Sequence, residues 1–151
     1  MSDHRISLQW SRDDGPFERG NYAKVHEIRY TGGETLRASP SPQYGGDDAH
    51  ADPEQLLLSA LSSCHMLTFL AVAANRGYVI DRYDDDAVAT LGKNADGQTV
   101  LNEATLAPRV AFSAAKVPTA QEYAQLHERA HAGCFIANSV KTVVRVQPQL
   151  A

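Results

Sequence analysis

"DPEQLLLSALSSCHMLTFLAVAANRG", residues 52–77, opens as a helix start. Asp52 suits the N-cap, Pro53 the first helical position, and Gln55 stands where a capping box needs it. Gly77 stops the helix after Arg76. In between, Leu56, Leu57, Leu58, Leu61, Met66, Leu67, Phe69 and Leu70 are not confined to one stripe. A helix apolar nearly all round is either the centre of a large core or packed on two sides. The rest of the chain offers only one more helix and short strands, so a second subunit is expected to share the burial in a homodimer. Set among these leucines is Cys64, one of only 2 cysteines.

Working outward, the chain divides by hydrophobic period. Residues 5–10, "RISLQW", alternate, and "SRDDGPFERGN" leads to a second alternating stretch, "YAKVHEIRY", then "TGG" and "ETLRAS". This reads as an N-terminal three-stranded meander. After the long helix, strands are expected near 87–93 and over 98–112, joined by the turn "NADG". A second helix starts at Thr119, with Glu122 at the capping-box position, and reaches Ala132 before Gly133. "VKTVVRV" closes the chain as a strand, with Val140, Thr142, Val144 and Val146 on one face. The order β-β-β-α-β-β-α-β is α+β, and 151 residues, 43% of them hydrophobic, suit a single domain, 1–151.

A formal net charge of -4 and the lack of any Lys/Arg run interleaved with aromatics argue against nucleic acid as a partner. The first ten residues, "MSDHRISLQW", contain no apolar signal region, and the longest uninterrupted apolar run of the long helix, Phe69 to Ala74, is short for a span. The expectation is a soluble, cytoplasmic protein without a membrane partner. In that setting two cysteines are reduced thiols, a redox pair or metal ligands rather than a structural staple.

Cys64 shares a helical stripe with Leu57, Leu61, Thr68 and Ala71, and buried cysteine commonly behaves as a small hydrophobe. Mid-helix it lacks the N-terminal dipole that lowers a thiol pKa, so a reactive thiolate there calls for a cationic neighbour from elsewhere. Cys134 follows the second helix in "HERAHAGCFIANSV". If that helix continues through Gly133, His127, His131 and Cys134 share one face, and with Cys64 they make a Cys2His2 metal set. The alternative for the two histidines is a solvated helix face. On the strand "YAKVHEIRY", Tyr22, Lys24, His26, Ile28 and Tyr30 share one face, so either Lys24 and His26 turn inward and carry charge towards a site, or both are exposed.

"DPEQLLLSALSSCHMLTFLA" together with "HAGCFIANSV" seventy residues later resembles the two-cysteine signature of the OsmC/Ohr superfamily, the osmotically induced protein C and organic hydroperoxide resistance proteins. The likeness covers nearly the whole chain, and the "CHML" run looks closer to an OsmC-like branch. It implies an intertwined homodimer with long central helices. It also implies a peroxidatic cysteine at Cys64, a resolving cysteine at Cys134, a glutamate at Glu54, and an arginine in the N-terminal strands or the loop after them. Arg12, Arg19, Lys24, Arg29 and Arg37 are the basic residues on offer, and Lys24-x-His26 stands where an Arg-x-His element occurs in that branch.

The expected activity is a thiol peroxidase that reduces organic hydroperoxides to alcohols. Its catalytic candidates are Cys64, Cys134, Glu54, Arg19, Lys24 and His26, and it requires no metal, nucleotide or other cofactor. The partners are the hydroperoxide, a dithiol reductant that the resemblance suggests is lipoyl-type, and a second subunit. Within one helix Glu54 and Cys64 lie about 15 Å apart along the axis and about 80° apart around it. If Glu54 serves a catalytic pocket, as the resemblance implies, it most simply belongs to the one around the other subunit's Cys64; the alternative is that it complements the helix dipole in the first turn. Two readings from other classes stand beside this one: a metal-binding protein using Cys64, His127, His131 and Cys134, and a non-enzymatic dimer that holds a hydrophobic ligand.

Overall fold

The computed structural model describes residues 2–113 and 115–149, which fall into two compact units meeting in sequence at Leu56 and Leu57. The fold is α+β, with two α-helices and several small sheets.

In the N-terminal unit, β1 (Ile6–Gln9), β4 (His26–Tyr30) and β5 (Thr35–Ala38) form an antiparallel sheet in the order β1-β4-β5. Ile28 lies opposite Leu8 and Leu36. The expected middle strand over 22–30 is broken. Asn21–Tyr22 (β3) pairs instead with Phe17–Glu18 (β2) as a separate two-residue hairpin, and the strand proper starts at His26. Tyr22 and Lys24 therefore do not share a strand face with His26, Ile28 and Tyr30. Trp10 holds the hairpin from outside the ladder: its indole N–H donates to the Ala23 carbonyl at 2.8 Å, and the rings of Trp10, Phe17 and Tyr22 pack in series.

α1 (Pro53–Asn75) is capped as the sequence requires. The Gln55 N–H donates to the Asp52 carboxylate at 2.7 Å, and the Asp52 N–H donates to the Gln55 side chain at 3.1 Å. At the far end the Gly77 N–H reaches the Ala74 carbonyl and the Tyr78 N–H the Ala73 carbonyl, a Schellman stop that needs the left-handed backbone Gly77 adopts at φ 74°. Only one line of the helix is fully buried: Leu61, His65, Phe69 and Ala73. Leu67 stays 59% exposed, and on length and composition alone α1 is apolar enough to cross a membrane.

The C-terminal unit corrects the sequence reading in three places. Ile80–Asp85 is a strand, β6, that the sequence reading missed. The expected strand over 98–112 is two strands, β8 (Thr99–Leu106) and β9 (Pro108–Phe112), parted at Ala107. The last strand, β10, is confined to Val143–Val146. β6 pairs with β9; β7 (Val88–Lys93) and β10 flank β8, β10 running parallel to it. The break at Ala107 has a local cause: its N–H leaves the ladder for the Asp85 carboxylate at 2.7 Å, and Pro108, which has no N–H, begins the next strand. The turn 94–97 closes the β7–β8 hairpin with Gly97 at φ 78°.

α2 (Ala120–Ala132) starts at Thr119 with both halves of its capping box made by Glu122. Its inner side packs Tyr123, Leu126 and Ala130 against Phe69 and Ala73 of α1, with Tyr78 and Val110, and this cluster is the core of the unit. Burying side chains of this size stabilises by about 1.5–3 kcal/mol each.

Candidate active site

Core packing lays the end of α2 against the middle of α1, and Gly133 sets the separation. Its backbone is ordinary, with φ −90°, so the reason for glycine is space: a Cβ there would stand 3.1 Å from the Thr68 methyl. α2 ends at Ala132, so Cys134 does not continue its face with His127 and His131 as the metal arrangement requires. The chain turns through 134–139 and locks itself. The Asn138 amide donates to the Ala132 carbonyl at 3.1 Å, the Ser139 hydroxyl to the Phe135 carbonyl at 2.7 Å, and the Asn138 N–H to the Cys134 carbonyl at 3.0 Å. The "ANS" run is thus the clasp of this turn, caught by a short 3-10 helix over Ala137–Ser139.

The clasp aims backbone donors at sulfur. Cys64 is partly exposed and Cys134 buried; both are free thiols, and each acts on the ionisation of the other. Burial pushes the Cys64 thiol up, but donation from the Ile136 N–H, the Cys134 thiol, the Phe135 N–H and the Thr68 hydroxyl outweighs it and brings Cys64 below the ordinary thiol value. Cys134 moves the other way. Burial raises it, the bond to Cys64 and the neighbouring charge raise it further, and the Ala137 N–H, 3.4 Å from Cys134 Sγ, only partly offsets them. Cys64 therefore ionises first. Within this chain the groups that lower Cys64 are two amides, a thiol and a hydroxyl, which act at mid-helix as the N–H groups of a helix N-terminus do elsewhere.

Beside the thiols is a histidine pair that sequence reasoning missed. His65 Nε2 lies 3.0 Å from His127 Nδ1, and the rings stack with centroids 5.3 Å apart. His127 also stacks on Phe69 at 4.3 Å and meets the edge of Tyr123 at 4.7 Å. Burial is the main cause that pushes His65 down to about 4 and His127 to about 3, so the pair is neutral at physiological pH. His127, 2% exposed, is on no solvated face. Among the described residues no group of three or more His, Cys, Asp or Glu side chains could hold a metal ion. The sequence did contain one signal for His65, its place on the buried line between Leu61 and Phe69.

Asp85 was missed as well. It accepts from the Ser62 hydroxyl at 2.5 Å and from the Ala107 N–H, which ties α1 to the sheet two residues before Cys64.

The remaining candidates lie in the N-terminal unit. Glu54 is in the first turn of α1 and Arg19 in the β2–β3 turn. The Lys24 ammonium donates to the Tyr44 carbonyl at 2.5 Å and sits 5.5 Å from the Tyr22 ring centre, and His26 Nδ1 is 3.0 Å from the Lys24 carbonyl. Lys24 and His26 line an open cleft of about 640 Å³ with Trp10, Phe17, Tyr22 and Tyr44.

The sequence pattern of the family described as OsmC-like protein matches residues 45–149. Among solved structures, an OsmC-like protein of unknown function from Vibrio cholerae is 40% identical, with a TM-score of 0.95 over 99% of this chain and 100% of that one. An organic hydroperoxide resistance protein from Elizabethkingia anophelis is 18% identical, with a TM-score of 0.73 over 100% and 96%. Another from Bacillus subtilis is 18% identical, with a TM-score of 0.67 over 99% and 98%; at these identities the likeness is one of fold. Among curated proteins no significant relative is found.

Proposed function

Because this chain belongs to the OsmC-like family, we propose that it is a thiol peroxidase reducing organic hydroperoxides to alcohols. The observation that carries this reading is the turn after α2, clasped by Asn138 and Ser139, whose Phe135 and Ile136 amides act with Cys134 to hold Cys64 the lower of the two thiols. The Cys64 thiolate attacks the terminal oxygen of ROOH; the S–O bond forms, the O–O bond breaks, and the alkoxide takes a proton from water to leave as the alcohol. Cys134 then attacks the Cys64 sulfenic acid, the S–S bond forms, and hydroxide leaves with the Cys134 proton as water. An external dithiol, of the lipoyl type that the resemblance suggests, returns two electrons by exchange. No cofactor takes part.

Preference for an organic peroxide follows from the apolar surface beside the thiols: Phe135 is 81% exposed although its N–H faces Cys64, and Leu67, one turn on from Cys64, is 59% exposed. In our reading the protein works in the cytoplasm as a homodimer. The exposed Leu67 of α1, with Leu57, Leu58 and Leu70 only half-buried, supports this, and so do Ile6 and Leu8, each 58% exposed on β1. Glu54 is assigned to the partner's thiol, with Arg19 and Lys24 as the cations that polarise the peroxide and His26 as a further side chain of that site.

Consumption of cumene hydroperoxide with dihydrolipoamide as reductant tests the function. Wild type should turn over and Cys64→Ser should not. Equal rates in both would remove the thiol mechanism.

A further inference from the structure

Thr68 stands one helical turn after Cys64, and its hydroxyl donates to the Cys64 carbonyl at 2.8 Å. That bond is surplus in the reduced, protonated state, because a helical carbonyl at position 64 already receives the N–H of residue 68. Side chains four residues apart lie on one face of a helix, so the same hydroxyl stands beside the Cys64 side chain, and it is one of the donors that hold that thiol down. A hydroxyl has one proton to give, so it serves the carbonyl or the sulfur, and swinging from one to the other leaves no backbone group unpaired. Gly133 fixes which way the hydroxyl faces. A β-branched side chain has few χ1 choices in a helix, and Gly133 leaves just enough room for the Thr68 methyl, whose carbon lies 3.1 Å from where a Cβ at 133 would be. With the methyl lodged against the end of α2, the hydroxyl is left on the Cys64 side.

We propose that Thr68 is a positioning residue for the nucleophile: a hydroxyl toggle that transfers its hydrogen bond from the Cys64 carbonyl to the Cys64 sulfur when the thiol ionises, held in register by Gly133. This rests on the peroxidase reading for its purpose and on the α1–α2 geometry for its mechanism. The toggle completes an anion cradle assembled from two sides. The Phe135 and Ile136 amides come from the turn after α2, and the hydroxyl comes from the helix that carries the sulfur itself. The titratable group acting on Cys64 is Cys134, and among the described residues none of the donors acting on Cys64 is a cation.

The test measures thiol ionisation without any peroxide. In a Cys134→Ser background, with one thiol left, the rate of alkylation of Cys64 by iodoacetamide is followed against pH in the Thr68 parent, in Thr68→Val and in Thr68→Ser. Valine keeps the branched shape and removes the hydroxyl, so the Cys64 pKa should rise by about one unit, which is a tenfold smaller thiolate fraction near neutrality. Serine keeps the hydroxyl and should restore most of the difference. An unchanged pKa in Thr68→Val, or an equal rise in Thr68→Ser, overturns the proposal, the second because it would trace the effect to packing. A raised pKa in Thr68→Val that serine restores, found in a protein that fails to consume cumene hydroperoxide, would support the toggle and remove the peroxidase reading.

Discussion

His65 and His127, 62 residues apart in sequence, share a hydrogen bond of 3.0 Å inside the core, where each is no more than 2% exposed. A neutral pair needs one proton for this bond, Nδ1 or Nε2 donating according to the tautomers. The outer atoms, His65 Nδ1 and His127 Nε2, are buried and have no hydrogen-bond partner among the described residues. The neutral pair already carries two ring protons, one in this bond and one on the accepting ring's outer nitrogen, so protonation would add a third on the remaining buried nitrogen, which agrees with pKa values pushed down to about 4 and about 3.

This makes the fold acid-sensitive in a defined window. In the unfolded chain both histidines take protons near pH 6.5, while the folded chain refuses them until about 4 and 3. Below pH 6.5 the unfolded state binds more protons, so stability falls with pH, by several kcal/mol for the two together as an order of magnitude, until the folded values are passed. Thermal melts between pH 7 and pH 4 should show this loss. A His65→Leu, His127→Phe double variant should show much less of it; an equally steep loss there would place the acid sensitivity elsewhere.

Cys134→Ser should complete one oxidation and stop at a Cys64 sulfenic acid that dimedone traps. In the wild type, trapping should be slight, because Cys134 is in contact with the sulfur being oxidised. Trapping at Cys134 in place of Cys64 would reverse the assigned roles.

Asn138→Ala removes the amide that holds the turn after α2 to the Ala132 carbonyl. The loss of one hydrogen bond costs about 0.5–1.5 kcal/mol. The more telling expectation is a higher Cys64 pKa, because the Phe135 and Ile136 amides are no longer held towards the sulfur. A lower melting temperature with an unchanged pKa would mean that the turn keeps its shape without the clasp.

Asp85→Ala leaves the Ala107 N–H without its acceptor, at an expected cost of about 1–3 kcal/mol. It also frees Ser62, two residues before Cys64. Asp85→Asn keeps an acceptor and should recover most of the stability in denaturant unfolding; an alanine variant as stable as the parent would show that the N–H finds another partner.

What was legible in the chain was whatever local chemistry decides. The capping boxes at Asp52 and Thr119 and the stop at Gly77 are written within four residues of where they act, and the structure has them in place. β6 was hidden because a bulge between Ile80 and Arg82 breaks the period of two. Ile80 and Tyr83, an odd number apart, both pack on the core, and the charged residues among them look like a loop. Ala107 parts two strands through a carboxylate 22 residues away, which no local pattern encodes. The two cysteines could be found by type and by resemblance, but the means of activating Cys64 could not: backbone amides have no letter in a sequence, and their aim depends on how the turn after α2 is clasped.

The most direct test of the account is a single-turnover titration. Fully reduced protein is given one equivalent of cumene hydroperoxide, and free thiols, cumyl alcohol and peptide linkage are read together. The account predicts one alcohol formed for each chain, loss of both of its 2 thiols, and a Cys64–Cys134 disulfide as the product. Unconsumed hydroperoxide with both thiols still free would contradict it.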